Sequence, residues 1–423
     1  MRRFLTGNAV DLLRSGREFF PALIGAIDAA EREAWIETYI FADDAAGNAV
    51  AEALIRAASR GVMARVMVDG WGARHYLTRR LQQRMEEGGV RVAKYRPEVA
   101  FWQFSSNRMR RLHRKLAQVD GRVAFVGGIN VIDDMNTPGQ KPPRVDFAVR
   151  VRGPMLGTIV PTMQRLWDIV QFFEFDGDLA DIGDAEPGAP SVDTAGDVAA
   201  RFIVRDNLRH RGDIERAYLA AIRTASAEII IASAYFFPGI SFRHELIAAA
   251  RRGVAVTLLL QARVEYRLLH YASRALFGQM IDGGITIQVY SRSFLHAKVA
   301  VIDGRWATVG SSNIDPYSLL MAREANIVVR NPRFADQLRI ELRAMIGGGA
   351  APLASQSWAA RPWFTKAACW VAYGIVRVAM GFLGYGGNEW WRGAAARPPA
   401  AALDEAGAET SATSSNAGKS SDG

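Results

Sequence analysis

Histidine, lysine and asparagine recur at the same spacing in two stretches of the chain. The first stretch reads LHRKLAQVDGRVAFVGGIN from Leu112, and the second reads LHAKVAVIDGRWATVGSSN from Leu295. Both contain His-x-Lys-x4-Asp, which random placement of the six histidines, six lysines and 24 aspartates would produce about 0.005 times. Because the polar identities repeat together with the apolar spacing, we interpret the stretches as two copies of a catalytic motif and not as a plain duplicated hairpin.

The motif lysines are informative because the chain otherwise uses arginine for its positive charges. It contains 46 arginines and six lysines, yet both motif positions are lysine, Lys115 and Lys298. A compact ammonium group acts as a point charge, whereas the planar guanidinium group of arginine acts as a fork. The chemistry therefore requires a concentrated positive charge beside each motif histidine, His113 and His296.

Two histidines, two lysines and two asparagines that converge on one point can cleave a phosphodiester. The lysines, with Asn130 and Asn313, would hold the non-bridging oxygens and stabilise charge in the five-coordinate transition state. A neutral histidine can attack phosphorus in line and form a phosphohistidine, while the other histidine donates a proton to the leaving alkoxide. Because the lysines supply the positive charge, we expect neither a metal ion nor another cofactor.

Four acidic residues are candidates for supporting roles around the motifs. Asp146 and Glu324 follow the asparagines and each opens an apolar strand, so we predict that they orient the histidines. Asp120 and Asp303 complete the two catalytic motifs, and each of them precedes a glycine. Because Asp-Gly between apolar strands is a strong signal for a tight hairpin, we predict that these two aspartates hold the motif hairpins.

The elements upstream of each motif repeat as well. Residues 34–70 and 228–262 both read as an apolar strand, a loop, an amphipathic helix that ends in Arg-Gly-Val, and a second apolar strand. The glycine is expected to close the helix before β-branched residues resume the sheet. We therefore predict an α/β fold of two tandem α/β/α domains related by a pseudo-two-fold axis, with one active site at their interface.

Shifts in composition mark the domain boundaries. Residues 174–197 contain eight acidic residues and no basic ones, which favours an exposed linker. The last thirty residues are of low complexity. We predict a first domain at 1–173, an acidic linker at 174–198, a second domain at 199–347, a Trp-rich membrane-associating segment at 358–393 and a disordered tail at 394–423.

The segment at 358–393 combines an apolar stretch with clustered tryptophans. Residues 367–387 are apolar except for Arg377, and five of the ten tryptophans lie between Trp358 and Trp391. Tryptophan at both ends of an apolar stretch is typical of a membrane interface, so we expect a helix that lies in the interface or re-enters the bilayer. A full span and a helix packed on the domain are the alternatives. Residues 95–115 are either a lid that dips into the membrane or a solvated basic loop.

The overall charge indicates what kind of partner the chain binds. A net charge of +9 and an isoelectric point near 9.8 favour anionic partners, either nucleic acid or an acidic lipid surface. A single cysteine excludes an intramolecular disulfide and a cysteine-rich metal site. The apolar segment with its tryptophans favours lipid over nucleic acid.

The two motifs resemble those of the phospholipase D superfamily, whose signature is His-x-Lys-x4-Asp followed by Gly-Gly/Ser-x-Asn, twice per chain. The resemblance covers roughly residues 5–345. It implies two α/β halves around one cleft and a metal-free phosphohistidine mechanism. It also implies that His113 is the nucleophile and His296 the acid, assisted by the motif lysines and asparagines.

Further stretches are similar to bacterial cardiolipin synthases, among them VRDNLRHRGDIERAYLAAI from Val204, SAYFFPG from Ser233 and VGSSNIDPYSL from Val309. Because no pair of transmembrane helices precedes the first domain, the chain resembles the short subtype. That resemblance implies an enzyme peripheral to the bacterial inner membrane that joins two molecules of phosphatidylglycerol and releases glycerol. Its partners would be anionic phospholipid and the membrane surface, with no nucleic acid. A phospholipase D-type hydrolase, a phosphodiesterase or nuclease, and a non-catalytic lipid-binding scaffold are the alternatives.

Overall fold

Both halves of the chain run through the same succession of strands and helices. The computed structural model describes residues 3–96, 111–174, 189–206, 210–262, 267–315, 322–353 and 362–380. The first half consists of β1 (Leu5–Arg14), α1 (Ser15–Asp28), β2 (Glu33–Thr38), α2 (Ala45–Ser59), β3 (Met63–Asp69), α3 (Arg79–Glu87), β4 (Arg91–Tyr95), β5 (Arg111–Leu112), β6 (Lys115–Val119), β7 (Val123–Gly127), β8 (Arg144–Val145), β9 (Phe147–Arg152) and α4 (Leu156–Glu174). The second half consists of β10 (Val198–Arg205), α5 (Asp213–Arg223), β11 (Glu228–Ser233), α6 (Ile240–Arg251), β12 (Ala255–Gln261), α7 (Arg267–Ala275), α8 (Phe277–Asp282), β13 (Thr286–Tyr290), β14 (Phe294–Leu295), β15 (Lys298–Ile302), β16 (Trp306–Gly310), β17 (Ala322–Arg330), α9 (Pro332–Gly349), β18 (Ala350–Pro352) and α10 (Trp363–Met380).

The strands of the two halves join in one sheet. Its order is β18-β13-β12-β11-β15-β16-β17-β10-β1-β9-β7-β6-β2-β3-β4, so the succession reverses around the antiparallel pair β1–β10. Parallel pairing joins β2, β3 and β4, and likewise β11, β12 and β13. Because a two-fold axis makes equivalent strands pair antiparallel, the predicted fold of two related α/β repeats is confirmed.

Helices cover both faces of the sheet. On one face of the first half, α1, α2 and α3 enclose an apolar core that includes Leu23, Leu54 and Met85. On the opposite face, α4 and α9 pack over strands of both halves through Ile159 and Leu338. Each fully buried leucine contributes roughly 1.5–3 kcal/mol. The second core therefore stabilises the two halves against each other.

The repeated Arg-Gly-Val sequences end α2 and α6 as expected. Gly61 and Gly253 have φ angles of +85° and +91°, a region that glycine enters without steric penalty. The Val62 N–H donates to the Ala57 carbonyl at 3.1 Å, which closes the last turn of α2 before β3 begins. The strand–helix–strand units predicted from the sequence are present in both halves.

Both motif hairpins turn at Asp-Gly. Asp120 and Gly121 have φ angles of +54° and +64°. Asp303 and Gly304 have φ angles of +51° and +59°. Two successive positive φ angles define the type I′ turn, whose twist matches that of the flanking strands. The predicted tight turns are confirmed between β6 and β7 and between β15 and β16.

The motif strands are interrupted at the histidines. β5 ends at Leu112 and β6 begins at Lys115, with His113 between them. The interruption arises because β5 pairs with β17 of the second half, whereas β6 pairs with β2 and β7 of its own half. β14 pairs with β8 of the first half in the same manner. Each histidine therefore lies where the chain stops pairing with a strand of the other half and begins to pair with strands of its own half.

Several predicted segments lie wholly or partly outside the described residues. These are most of the acidic linker, residues 97–110 of the candidate lid at 95–115, and the tail at 394–423, so the domain boundaries stay predictions. The tryptophan-rich segment is described from 362 to 380, where α10 packs on α7. None of the helices within the described ranges combines the length and the apolar character that a membrane crossing needs.

Candidate active site

Each motif histidine is bound by a carboxylate that comes from the other half of the chain. The His113 Nδ1 atom lies 2.9 Å from Glu324 Oε1. The His296 Nδ1 atom lies 2.6 Å from Asp146 Oδ2. A carboxylate that accepts the Nδ1–H leaves the Nε2 lone pair available to a substrate. The structure thus brings together the two histidines and the two carboxylates that the sequence suggested as their partners.

Each histidine meets a carboxylate of the other half because the short strand before it, β5 or β14, pairs with a strand of the other half. The His113 N–H donates to the Arg323 carbonyl at 3.0 Å. The His296 N–H donates to the Val145 carbonyl at 2.8 Å. In both cases the acceptor immediately precedes the orienting carboxylate. Because the backbone itself pairs each histidine with the opposite strand, neither half holds a complete site alone.

The motif lysines lie beside the histidines and are buried. The Lys115 Nζ atom donates to the His113 carbonyl at 2.6 Å. The Lys298 Nζ atom lies 2.8 Å from His296 Nδ1 and 3.5 Å from Asp146 Oδ2. Burial is the main cause that lowers the pKa values of Lys115 and His113, and the charge of Lys298 lowers both further. The two motifs therefore share one electrostatic site.

Burial favours the neutral form of both imidazoles. It lowers the pKa of His296 to about 3, with the charge of Lys298 as the second cause. It also lowers the pKa of His113, and it lowers the pKa of Lys115 to about 7. Neutral imidazole is the form that attacks phosphorus. A phosphodiester anion between these groups raises their pKa values, because it stabilises the positive forms.

The orienting carboxylates are held in the ionised form. Burial alone would raise the pKa of Asp146, but the charges of the adjacent lysine and histidine outweigh burial and lower it. Burial opposes ionisation of Glu324 as well, yet attraction to His113 and Arg205 lowers its pKa. An ionised carboxylate behind each histidine stabilises the imidazolium whenever it forms.

The motif asparagines return to the histidine end of the hairpins. β7 and β16 run antiparallel to β6 and β15, so Asn130 and Asn313 follow strand ends that lie next to the motif lysines. Asn130 Oδ1 accepts a hydrogen bond from the Ile40 N–H at 3.2 Å, which fixes the direction of the amide. Both asparagines are buried. The lysines and asparagines of each motif are thus collected at one end of the hairpin.

The motif aspartates lie at the other end of the hairpins. Seven residues of nearly extended chain, roughly 20 Å, separate Asp120 from His113. The Asp120 carboxylate accepts from the backbone N–H groups of residues 31–33 at 2.8–2.9 Å. The Asp303 carboxylate accepts from those of residues 226–228 at 2.8–3.0 Å. Both aspartates fix the starts of β2 and β11 beside the motif strands, so they are placed as positioning residues and not in contact with the reacting atoms.

Two further residues hold the backbone just before the histidines, and neither was predicted. Asp69 Oδ2 accepts a hydrogen bond from the Leu112 N–H at 2.7 Å. Gln261 Oε1 accepts one from the Leu295 N–H at 2.9 Å. Asp69 ends β3 and Gln261 ends the equivalent strand β12. The sequence feature that could have indicated these two residues is a polar side chain at the last position of both strands.

Three other side chains complete the surroundings of His113. Tyr39 packs edge-on against it, with 5.0 Å between the ring centroids. The Ser311 hydroxyl donates to the Glu324 carboxylate, and the buried Arg205 guanidinium lies 3.9 Å from the same group. Ser311 belongs to the Gly-Gly/Ser part of the motif, but only the fold connects it with the histidine of the other half.

Comparison with known proteins gives the family. The sequence model described as "Cardiolipin synthase, PLD-like domain" matches residues 23–137 and 218–346, once in each half. Cardiolipin synthase B of Salmonella typhi is 35% identical over 380 residues, which cover 88% of either chain. Cardiolipin synthase B of Escherichia coli K12 is 34% identical over 381 residues with the same coverage.

A solved structure shares the fold. The chain superposes on phosphatidylserine synthase of Haemophilus influenzae Rd KW20 with a TM-score of 0.67 and 13% identity, over 90% of this chain and 96% of that one. At this identity the likeness concerns the fold alone. The duplicated α/β fold and its crossed histidine pairs are those of a two-motif phospholipase D-like protein. The family match and the curated relatives extend over most of the sequence, and the chain belongs to the family of cardiolipin synthases with phospholipase D-like domains.

Proposed function

We propose that this chain is a phosphatidyltransferase that joins two molecules of phosphatidylglycerol into cardiolipin and releases glycerol. One observation carries the proposal: in a member of the cardiolipin synthase family, each motif histidine is bound by a carboxylate of the other half, and the charge of Lys298 acts on both histidines. Exchange of one glycerol phosphodiester for another is close to energetic balance. The reaction therefore needs no nucleotide to drive it.

In the first step, His113 attacks the phosphorus of the donor phosphatidylglycerol. A P–N bond forms while the P–O bond to the glycerol headgroup breaks, and the electron pair goes to the leaving oxygen. His296, protonated in the presence of the anionic substrate, gives its Nε2 proton to that oxygen and glycerol departs. General acid catalysis of this kind contributes about 10²–10⁴-fold.

In the second step, His296 is neutral and acts as a base. It takes the proton from the glycerol hydroxyl of the acceptor phosphatidylglycerol, whose oxygen attacks phosphorus as the P–N bond breaks. The electron pair returns to His113, and cardiolipin leaves. The Asp146 carboxylate at the Nδ1 atom of His296 stabilises the imidazolium that this proton transfer forms.

The motif lysines and asparagines stabilise the transition states of both steps. Lys115 and Lys298 are buried, so their charges act in a site of low dielectric where electrostatic stabilisation is strong. The amides of Asn130 and Asn313 add hydrogen-bond donors for the non-bridging oxygens. These four residues recognise the phosphodiester, and they leave selection of the headgroup to other parts of the cleft.

We further propose that α10 docks the enzyme on the surface of the bacterial inner membrane. One side of α10 packs on α7 through the buried residues Cys369 and Ala372. The opposite side carries large apolar side chains that are between 51% and 79% exposed, at helical spacing. An apolar face of this kind is typical of a helix that lies in the membrane interface. The face, called the docking face below, consists of Trp363, Phe364, Trp370, Val371, Ile375 and Val378.

Membrane docking also limits the competition between water and the lipid hydroxyl group for the phosphohistidine. Attack of water on the phosphohistidine would release phosphatidic acid and make the enzyme a hydrolase. A cleft held against the bilayer excludes water and favours the hydroxyl group of a lipid. Transfer and hydrolysis therefore differ only in whether a lipid hydroxyl group or water reaches the phosphohistidine. Analysis of the lipid products distinguishes the two reactions.

The test is incubation of the purified chain with phosphatidylglycerol vesicles, followed by mass spectrometry of the lipids. We expect cardiolipin from the wild type and a loss of about 10²-fold or more for His113→Ala and for His296→Ala. The matched control is His244→Ala, which alters an exposed histidine of α6 and should retain full activity. Phosphatidic acid as the sole lipid product would replace the proposal with a hydrolase. Cleavage of single-stranded DNA without lipid turnover would replace it with a nuclease.

A further inference from the structure

Helix α7 covers a recess at the carboxyl end of β12, next to the motif of the second half. The recess is open to solvent and has a cavity volume of about 30 Å³, and the empty space is about 450 Å³ when the solvent in front of it is included. A small polar headgroup can enter from the open side, where aromatic rings stand beside polar and cationic groups. The lining includes Tyr235, Gln261, His270, Ser273, Arg274 and Phe277.

The recess adjoins His296. Ala234, in its wall, donates its N–H to the Ala297 carbonyl at 3.0 Å. Gln261, also in its wall, accepts the Leu295 N–H at 2.9 Å. The residues on both sides of His296 are thus hydrogen-bonded to the lining. The recess therefore borders the backbone on either side of this histidine.

Helix α7, like α10, exposes large apolar side chains. The two helices pack against each other, and Leu268 and Tyr271 of α7 are 46% and 44% exposed. α7 therefore separates an apolar outer surface from a polar recess, over a single helix width. A phospholipid whose acyl chains stay in the membrane can place its headgroup under α7.

The first half differs at the equivalent position. A loop connects β3 and α3 where the second half has α7, and a Cβ at Gly72 of this loop would lie 2.5 Å from the Tyr39 ring. That ring fills the space against His113. In the second half Ala234 takes the place of Tyr39, and the side next to His296 opens into the recess.

We propose that the recess binds the phosphoglycerol headgroup of the acceptor phosphatidylglycerol, with Arg274 and His270 bound to its phosphate. The proposal rests on the function proposed above. In the second step the acceptor oxygen attacks opposite the P–N bond to His113, which is the side of His296. The acceptor differs from water and from glycerol by an anionic phosphate, and a guanidinium group recognises phosphate through paired hydrogen bonds.

The experiment compares two acceptors that compete for the same phosphohistidine. Enzyme is incubated with phosphatidylglycerol vesicles and isotopically labelled glycerol. Cardiolipin reports transfer to the lipid acceptor, and labelled phosphatidylglycerol reports transfer to uncharged glycerol. We expect Arg274→Gln to lower cardiolipin formation about tenfold while label exchange changes less than about twofold. Arg274→Lys should restore part of the loss, because it keeps the charge without the planar fork.

The matched control is Arg74→Gln, which removes the same charge from the loop after β3. It should leave the ratio of cardiolipin to labelled phosphatidylglycerol within about twofold of the wild type. An equal loss of both products in Arg274→Gln would show a general structural role for Arg274 and overturn the proposal. Unchanged cardiolipin formation would overturn it as well. Absence of both products in the wild type would overturn the proposed function and this inference with it, a result that is distinct from the other two.

Discussion

The two halves of the chain share one backbone plan but place different groups around their histidines. In the first half, the Tyr39 ring packs against His113. In the second half, Ala234 stands at the equivalent position and the recess under α7 adjoins His296. Duplication has kept the strands that aim the histidines and has changed the space in front of them. Two identical side chains in one site can then take different steps of a reaction.

The orienting carboxylates differ in length, and a neighbouring residue differs with them. A Cβ at Gly128 would lie 2.3 Å from Asp146 Oδ1, so the aspartate occupies the space that a side chain would need. Ser311, at the equivalent position of the second half, donates its hydroxyl to the longer Glu324. The Gly-Gly and Gly-Ser sequences are therefore matched to the carboxylates of their own halves.

The residue between the motif histidine and lysine also differs. Arg114 is buried and donates to both oxygens of the buried Glu37, at 2.5 Å and 2.8 Å. The second half has Ala297 and Ala232 at these positions, inside an apolar core. The same strand pair is thus held by an ion pair in one half and by apolar packing in the other.

The different roles proposed for the two histidines are tested most directly with a donor whose leaving group needs no proton. With phosphatidyl-p-nitrophenol as donor, His296→Ala should still release one equivalent of nitrophenolate, because this anion leaves unprotonated. His113→Ala should release none, since the nucleophile is missing, a difference of about 10²–10⁴-fold. Rapid-mixing absorbance measures the burst. A burst from His113→Ala and none from His296→Ala would reverse the two roles.

Removal of one partner of the ion pair should destabilise the first half strongly. Arg114→Ala leaves the Glu37 carboxylate buried and unpaired, and the free energy of unfolding should fall by about 3–5 kcal/mol. The double variant Glu37→Leu with Arg114→Met imitates the apolar second half and should recover most of that loss. Urea denaturation measures both. The control Arg216→Ala removes an exposed ion pair on α5 and should cost about 1 kcal/mol or less. An Arg114→Ala loss as small as the control's would show that the buried pair does not hold the strands.

The smallest expected effect concerns the pH dependence of stability. Burial lowers the pKa of His296 to about 3 in the folded chain, so below about pH 6.5 the unfolded chain binds a proton that the folded chain does not. The free energy of unfolding therefore falls as the pH decreases through this range. Between pH 7.5 and 5.5 the contribution of His296 is on the order of 1 kcal/mol, and His296→Asn should remove it. Denaturant titrations at both pH values measure it, with His244→Asn as control. Equal pH dependence in His296→Asn and the wild type would contradict the neutral buried imidazole.

Local structure followed from the sequence because it depends on close neighbours. Two positive φ angles at Asp120 and Gly121 need residues that tolerate them, and Asp-Gly supplies both. Gly61 ends α2 for the same steric reason. The interruption of the motif strand at His113 was not predictable in this way, because it depends on a strand of the other half. The hydrogen bonds that Asp69 and Gln261 accept escaped prediction for a related reason, since strands distant in sequence meet only in the sheet.

The repeated polar residues by themselves predicted the chemistry of the site: two histidines, two lysines and two asparagines that we expect to surround one phosphate. The tertiary structure alone decided which carboxylate serves which histidine. His113 and Glu324 are 211 positions apart, and His296 and Asp146 are 150 apart. No spacing within a motif reports such contacts, because they depend on how β5 and β14 cross between the halves. The recess under α7 also exists only in the tertiary structure, since helices and strands of the second half define a cavity only when they pack together.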